Sequence, residues 1–170
     1  MPWWKEEPWR LIQTNLREID MQDLSAERYV ADLKDFHATV VLLNAAGISA
    51  GYDTKLPYHS KNPYLTGDSL ERIVELCHEN GIRVIARADF SKVRRNVYEM
   101  HPEWAFRTEH GDVMEQNGFV QTCLCGDYQQ KYAFEILEEL FGRIPFDGLY
   151  CNMGGFQTRD YEFRDYGFCH

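Results

Sequence analysis

Four strand-like segments that alternate with amphipathic helices constrain this chain more than any other feature. The segments span residues 10–17, 38–46, 82–88 and 146–152. The second is mostly apolar and rich in valine and leucine, as expected of a strand buried on both faces. Strands and helices in alternation predict right-handed parallel crossovers. We therefore predict an α/β fold with about four parallel strands and intervening helices.

The lengths of the connections favour a barrel over a doubly wound sheet. Long insertions follow the strands, whereas the helix-to-strand connections at residues 37–38, 80–81 and 143–145 are very short. This asymmetry is typical of a barrel whose site lies at the carboxyl ends of its strands. No G-x-G-x-x-G motif follows the first strand, which removes the main support for a dinucleotide fold. We predict the N-terminal half of a (β/α)8 TIM-type barrel, with residues 1–170 as a single partial β/α-barrel domain.

Four strands are too few to close such a barrel. A closed eight-stranded barrel needs about 200 residues or more, and this chain has 170. Four strands leave two open sheet edges, which favour association with other strands. We expect a fragment of a longer protein, or a short half-barrel that forms a homo-oligomer through its exposed edges.

Charge and hydropathy exclude several classes of partner. The net charge of −9 would repel the phosphates of nucleic acid, so no nucleic-acid partner is expected. No apolar run reaches the length of about 18 residues that a membrane span requires. The first ten residues lack the basic-then-apolar order of a signal peptide, which predicts a cytoplasmic location.

The cysteines form no recognisable metal-binding pattern. Cys123 and Cys125 make a C-x-C pair, which is too little for a zinc site without further ligands. No two histidines have metal-ligand spacing. We expect no metal and no cofactor, and all five cysteines reduced.

Polar side chains lie where the predicted strands end. They are Asn15, Arg17 and Glu18 after the first strand, Asn44 in the second, Arg87 and Asp89 in the third, and Asn152 in the fourth. In a barrel these strand ends meet at one mouth. An alternative is that the charged members are simply neutralising ion pairs at strand ends, and the sequence leaves this open.

This set of residue types suits a carbohydrate ligand. Planar Asn, Arg and Asp groups bridge adjacent hydroxyls with paired hydrogen bonds. Glycoside hydrolysis needs two carboxyl groups, about 5–5.5 Å apart for retention or about 6.5–9.5 Å for inversion. Asp89 is the best-placed acid/base candidate, Glu18 is the second, and Asp53 is weaker. His101 is predicted to contact ligand or to pack in its loop, as is His59.

Several blocks of sequence resemble a β/α-barrel family known as a hypothetical glycosyl hydrolase, number six in a provisional series. The matching blocks are residues 12–20, 40–52, 54–70, 81–94, 101–111 and 146–161. The resemblance implies a barrel related to α-fucosidase-like and α-amylase-like hydrolases, of which this chain supplies the N-terminal half.

One position departs from those related enzymes. In the fucosidase-like hydrolases the fourth strand reads D-G-x-x-F-D, and its final aspartate is the nucleophile. Here Asp147 and Gly148 begin the same pattern, but Asn152 ends it. An amide carries no negative charge and cannot form a glycosyl-enzyme ester, so the resemblance leaves the nucleophile unassigned.

The predicted function is a glycoside hydrolase that cleaves O-glycosidic bonds in its full-length form. In that prediction Asn15, Arg17, Asn44, Arg87, His101 and Asn152 contact the carbohydrate. The isolated chain is expected to be inactive because half of the mouth is missing. The alternative is a non-catalytic carbohydrate-binding or assembly module on a barrel scaffold. A lyase or isomerase acting on phosphorylated sugars is disfavoured, since the chain has no Gly-rich phosphate loop.

Overall fold

The computed structural model describes residues 2–5, 8–66, 70–108 and 110–155. In chain order its elements are β1 (Leu11–Thr14), α1 (Ala26–Asp35), β2 (Val40–Gly47), α2 (Leu70–Glu79), β3 (Arg83–Asp89), β4 (Lys92–Arg94), α3 (Arg95–Met100), β5 (Glu115–Gln116), β6 (Phe119–Gln121), α4 (Ala133–Arg143) and β7 (Gly148–Asn152). Short 3-10 helices at Glu18–Met21 and Pro102–Trp104 and a π-helix at Tyr128–Tyr132 join them.

Four of the strands form one parallel sheet in the order β1-β2-β3-β7. This confirms the predicted α/β half-barrel with four parallel strands. The first strand is shorter than predicted, because Arg17 already caps the 3-10 helix that follows it. Within the described residues β1 and β7 each have one neighbour in this sheet, so both of its edges are open. Homo-oligomerisation through those edges stays a prediction.

The apolar core lies between one face of this sheet and the helices. Alternate strand residues belong to it, including Val41 and Leu43 of β2 and Val84 and Ala86 of β3. The helices contribute residues at helical spacing, such as Val30, Leu33, Ile73, Val74, Ile136 and Leu140. Because side chains alternate along a strand, Arg87 and Asp89 lie on the opposite face of β3. That face is the inner face of a barrel.

The end of β2 approaches β3 more closely than any side chain would allow. Gly47 pairs with Asp89, and the register shifts between Asn44 and Ala46, as at a β-bulge. Gly47 has φ of 106°, and a Cβ built there would lie 2.1 Å from the Asp89 carbonyl oxygen. Glycine at position 47 therefore fixes where the backbone of Asp89 can sit.

The long segment between β3 and α4 contains regular secondary structure, whereas the sequence pattern indicated only a long insertion after the third strand. It contains α3 and a small antiparallel sheet in the order β4-β6-β5. Asn117 and Gly118, with φ of 52° and 77°, connect β5 to β6. The strands have two or three residues each, too short for a hydrophobic period to show, although Asn-Gly is a strong hairpin signal.

The thiols differ from expectation at one position. Cys77, Cys125 and Cys151 are free, as predicted. Cys123 is disulfide-bonded, so the prediction of a reduced thiol is wrong there. Cys169 lies outside the described residues. Among the described helices, none is long and apolar enough to cross a membrane.

Candidate functional site

A cavity of about 550 Å³ opens at the carboxyl ends of β2 and β3. The segment after β1 forms one wall, and the small antiparallel sheet contributes Lys92 and Phe119. Asn44, Arg87 and Asp89 come from the strands themselves. The structure thus brings five predicted residues from three strand ends to one cavity: Arg17, Glu18, Asn44, Arg87 and Asp89.

Asn44 and Arg87 are register partners on neighbouring strands and bind each other. Arg87 Nη1 donates to Asn44 Oδ1 at 2.6 Å. The Asn44 amide nitrogen donates in turn to the Leu16 carbonyl oxygen at 2.8 Å, which orients the side chain. Arg87 Nε is buried and has no hydrogen-bond partner within the described part of the chain.

Asp89 and Asn152 form the corresponding pair on β3 and β7. The Asn152 amide donates to Asp89 Oδ2 at 2.8 Å. Asp89 Oδ1 accepts from the backbone N–H and the hydroxyl of Ser91, at 3.0 and 2.6 Å. Three neutral donors therefore hold this carboxyl group in one orientation at the cavity wall.

Glu18 reaches the cavity from the 3-10 helix after β1. Its carboxylate forms an ion pair with Arg94 of β4. The buried Asn62 side chain donates to the Glu18 carbonyl oxygen at 3.1 Å. The Arg94 guanidinium also lies 5.4 Å from the centre of the Phe119 ring. Glu18 thus joins the first strand's loop to the antiparallel sheet.

Arg17 and Asn15 are peripheral. Arg17 lines the cavity rim, is 77% exposed and pairs with Asp20 at 2.8 Å. Hydrogen bonds from Arg17 lower the pKa of Asp20, and the same contact raises the pKa of Arg17. Asn15 accepts from Gln13 at 2.8 Å and does not line the cavity. The sequence analysis assigned both residues to the end of the first strand, but β1 already ends at Thr14, so neither belongs to it.

His101 does not line the cavity. Its ring stacks on Trp104, with centroids 3.9 Å apart, and its Nδ1 lies 3.1 Å from Glu103 Oε1. Of the two alternatives for this residue, packing within its loop is what the structure describes.

His59 and Asp53 both lie in the loop after β2, in opposite environments. His59 is 3% exposed, and its Nε2 accepts from the Gly47 N–H at 3.3 Å. Burial lowers the pKa of His59 to about 4. Asp53 is instead at the surface, where hydrogen bonds from Lys55 and Lys61 lower its pKa to about 2. Neither lines the cavity.

The sequence reasoning missed the residues that the other loops bring to the cavity. Phe119 and Lys92 come from the antiparallel sheet, and Asn62 and Tyr64 come from the loop after β2. The Asn-Gly turn was the available signal for Phe119, since it predicts a strand beginning there. Asn62 and Tyr64 carry no comparable signal.

No cluster of three or more His, Cys, Asp or Glu side chains in the described ranges is arranged to hold a metal ion. The absence of metal and cofactor from the reaction stays a prediction.

Solved structures with the same fold are glycoside hydrolases and a protein of unassigned activity. α-L-fucosidase isoenzyme 2 from Paenibacillus thiaminolyticus superposes with a TM-score of 0.71 at 19% identity, over 89% of this chain and 24% of its own. A hypothetical protein from Ruminiclostridium thermocellum gives 0.66 at 17% identity, over 86% of this chain and 77% of its own. A noncanonic maltogenic α-amylase from Thermotoga neapolitana gives 0.62 at 18% identity, over 86% and 39%.

These likenesses establish a partial TIM-barrel fold. The chain spans about a quarter of the fucosidase and well under half of the amylase. No similar protein was found among curated sequences. Residues 25–153 match the family described as hypothetical glycosyl hydrolase 6, which confirms the predicted resemblance. This chain belongs to that family.

Proposed function

We propose that the cavity binds carbohydrate and forms part of the active site of a glycoside hydrolase. The observation that carries the proposal is the convergence of Asp89 and Glu18, two carboxyl groups, on one cavity with the Asn44–Arg87 pair. A carboxyl pair is what glycosidic cleavage uses. Membership of a glycosyl hydrolase family supports the same reaction class.

Asp89 takes the acid/base role in this proposal. Asn152 and Ser91 orient its carboxyl group toward the cavity wall through neutral donors. Glu18 is the second carboxyl group. Its ion pair with Arg94 fixes its position beside the cavity, where a nucleophile or a transition-state stabiliser would be needed.

Asn44 and Arg87 would hold the sugar hydroxyls, with Arg17 at the rim, whereas Asn152 does not line the cavity and acts through its hydrogen bond to Asp89. The planar amide of Asn44 and the guanidinium groups suit paired hydrogen bonds to neighbouring hydroxyls. Tyr64 and Phe119 offer apolar rings in the same cavity, against which a sugar face can pack. Asn15 and His101 do not line the cavity, and the proposal does not rest on them.

A second candidate function is a non-catalytic carbohydrate-binding or assembly module. Asn152 favours it, because an amide occupies the strand end that carries the nucleophile in the fucosidase-like enzymes. In this candidate the same cavity binds sugar, and the Asn152–Asp89 hydrogen bond serves to shape the cavity instead of preparing a reaction.

A binding screen run beside a hydrolysis assay tests both functions. Ligand-observed NMR would measure binding of a panel of monosaccharides and short oligosaccharides, and aryl glycosides would report turnover. The variants are Asp89→Asn and, as the matched control, Asp53→Asn, which removes a carboxylate at the surface outside the cavity. We expect sugar binding by the unmodified chain and by the control, and weakened binding by Asp89→Asn.

The outcomes separate the candidates. Turnover that is lost in Asp89→Asn and kept in Asp53→Asn supports the hydrolase. Binding without turnover, also in a protein that supplies the remaining barrel strands, supports the binding module. Failure of every sugar to bind would contradict both.

A further inference from the structure

Arg87 differs from the other arginines at the cavity and from Arg83 at the opposite end of β3. Arg17, Arg83 and Arg94 each form an ion pair with a carboxylate, to Asp20, Asp147 and Glu18 respectively. Arg87 has no carboxylate partner in the described ranges, and its hydrogen bond goes to the neutral Asn44 side chain. The chain has 27 acidic residues against 18 basic ones, so carboxylates are not scarce.

The environment of Arg87 makes this unpaired charge costly. The side chain is half-buried, and its Nε is buried without an acceptor. A buried charge without a counterion is destabilising unless something compensates it. The terminal nitrogen Nη2 also has no hydrogen-bond partner in the described part of the chain. Nη1 donates one of its two hydrogens to Asn44, so the end of the guanidinium group keeps a second Nη1 hydrogen and both Nη2 hydrogens without an acceptor in the described residues.

The charged side chains that line the cavity include three cations although the protein as a whole is acidic. They are Arg17, Arg87 and Lys92, beside the carboxylates of Glu18 and Asp89, and Arg17 is paired with Asp20. The protein carries −9. Glu18 is neutralised by Arg94, which leaves Asp89 as the lining carboxylate without a cationic partner.

We infer that the cavity takes an acidic sugar, and that Arg87 binds the sugar's carboxylate through its terminal nitrogens. The inference rests on the proposed carbohydrate function. A carboxylate matches the guanidinium fork with two parallel hydrogen bonds and supplies the missing counter-charge. A single negative charge also suits a cavity that contains Asp89, because a doubly charged phosphate would be repelled more strongly there.

Pairs of sugars that differ in one group test whether the cavity prefers a carboxylate. The probes are glucose with glucuronate, galactose with galacturonate, and mannose with mannuronate, in which a hydroxymethyl group is exchanged for a carboxylate. Glucose 6-sulfate and glucose 6-phosphate distinguish a carboxylate site from a general anion site. Calorimetry or ligand-observed NMR would measure the dissociation constants on the chain.

We expect at least one uronate to bind about tenfold or more tightly than its neutral partner, with a preference that weakens as salt is added. Arg87→Gln should abolish that preference; because Arg87 also contacts sugar hydroxyls in the proposed function, neutral-sugar binding should weaken too, and the readout is the ratio of the two dissociation constants within each pair. Arg87→Lys keeps the charge but loses the fork, so it should retain part of the preference. Arg28→Gln is the matched control, because it removes the same charge from an exposed position on α1.

Each result decides the inference. Equal affinity within every pair overturns it and leaves the carbohydrate proposal standing. A uronate preference that survives in Arg87→Gln, with circular dichroism showing a folded variant, overturns the role of Arg87. Tighter binding of the 6-sulfate or 6-phosphate than of any uronate overturns the carboxylate. If no sugar binds, the proposed function fails together with the inference.

Discussion

Two aspartates at opposite ends of the parallel sheet show how differently its amino and carboxyl ends are built. Asp147, just before β7, lies at the amino ends of the strands. Its oxygens accept from Arg83 at 2.9 Å and from the Val84 N–H at 2.8 Å, and His78 Nε2 lies 2.8 Å away. Asp89, at the carboxyl ends, is held only by the neutral donors of Ser91 and Asn152.

The difference separates a structural carboxylate from one available for chemistry. Charged partners at the amino end tie β3, β7 and α2 together around Asp147, which is 10% exposed. Neutral partners at the carboxyl end orient Asp89 beside a cavity and leave its charge uncompensated. In barrels the amino face serves stability and the carboxyl face carries function, and the proposed function assigns the two ends of this sheet in the same way.

The largest expected effect lies in the backbone at the carboxyl end. Gly47→Ala would place a Cβ 2.1 Å from the Asp89 carbonyl oxygen at a φ of 106°. We expect a loss of about 4 kcal/mol in the free energy of unfolding. Gly81→Ala at the amino end is the control, because Gly81 also has positive φ but its Cβ would meet nothing within 4 Å. Urea unfolding followed by tryptophan fluorescence would measure both, and similar losses would contradict the close approach at Gly47.

Acid should weaken the carboxyl end through His59. Its pKa is lowered from 6.5 to about 4 in the folded chain, so the unfolded chain binds more protons between these values. Stability is therefore complete above pH 6.5 and falls as the pH drops toward 4, by roughly 3 kcal/mol. Unfolding measured across this range should show the loss. His59→Gln keeps an acceptor for the Gly47 N–H and does not titrate, so an unchanged pH slope in that variant would exclude His59 as the cause.

Removing each aspartate in turn compares the two ends directly. Asp147→Ala leaves the buried Val84 N–H without its acceptor, breaks the partly exposed ion pair with Arg83 and removes the contact with His78, and should cost about 2 kcal/mol. Asp89→Ala removes hydrogen bonds at a half-exposed cavity wall and should cost about 1 kcal/mol. Thermal or urea unfolding would measure both variants. A larger cost for Asp89→Ala would reverse the assignment of stability to the amino end.

The smallest expected change in stability tests whether Asp89 depends on the neutral amide of its neighbour on β7. Asn152→Asp would put a second carboxylate where an amide nitrogen now lies 2.8 Å from Asp89 Oδ2. Two such groups share a proton, so a pKa in the folded pair rises and stability is lost as the pH increases. Compared with the parent chain, the variant should lose about 1 kcal/mol more of its free energy of unfolding at pH 7 than at pH 4. Asn15→Asp, at an exposed position, should show no such difference.

The parallel sheet and its helices could be predicted because their burial leaves a period in the sequence. In α2 the buried residues Leu70, Ile73, Val74 and Cys77 recur at helical spacing. Along β3, Val84, Ala86 and Ala88 are buried and alternate with Arg87 and Asp89. The sequence analysis placed Arg87 and Asp89 at the end of the third strand, and the structure has both on the same face of β3 beside the cavity.

The partners of those residues could not be predicted, since they come from distant parts of the chain. Glu18 pairs with Arg94, 76 residues away, and His101 stacks on Trp104, which itself packs against Tyr58 and Tyr132. No local spacing encodes such contacts. The Asn117-Gly118 hairpin was different, because its turn signal is local and only the shortness of the strands concealed it.

The antiparallel sheet has a consequence for how this cavity can change. Its strands are hydrogen-bonded to one another, and the Glu18–Arg94 ion pair links it to the loop after β1. Phe119 and Lys92 of this sheet line the cavity. The segment leaves the barrel frame after Asp89 and returns before α4. Val93, Val97, Trp104 and Val120 belong to the apolar core, so variation in this segment is limited to positions such as Lys92 and Phe119 that line the cavity. Directed evolution restricted to positions 92 and 119 should alter ligand selectivity while the strands that carry Arg87 and Asp89 stay intact.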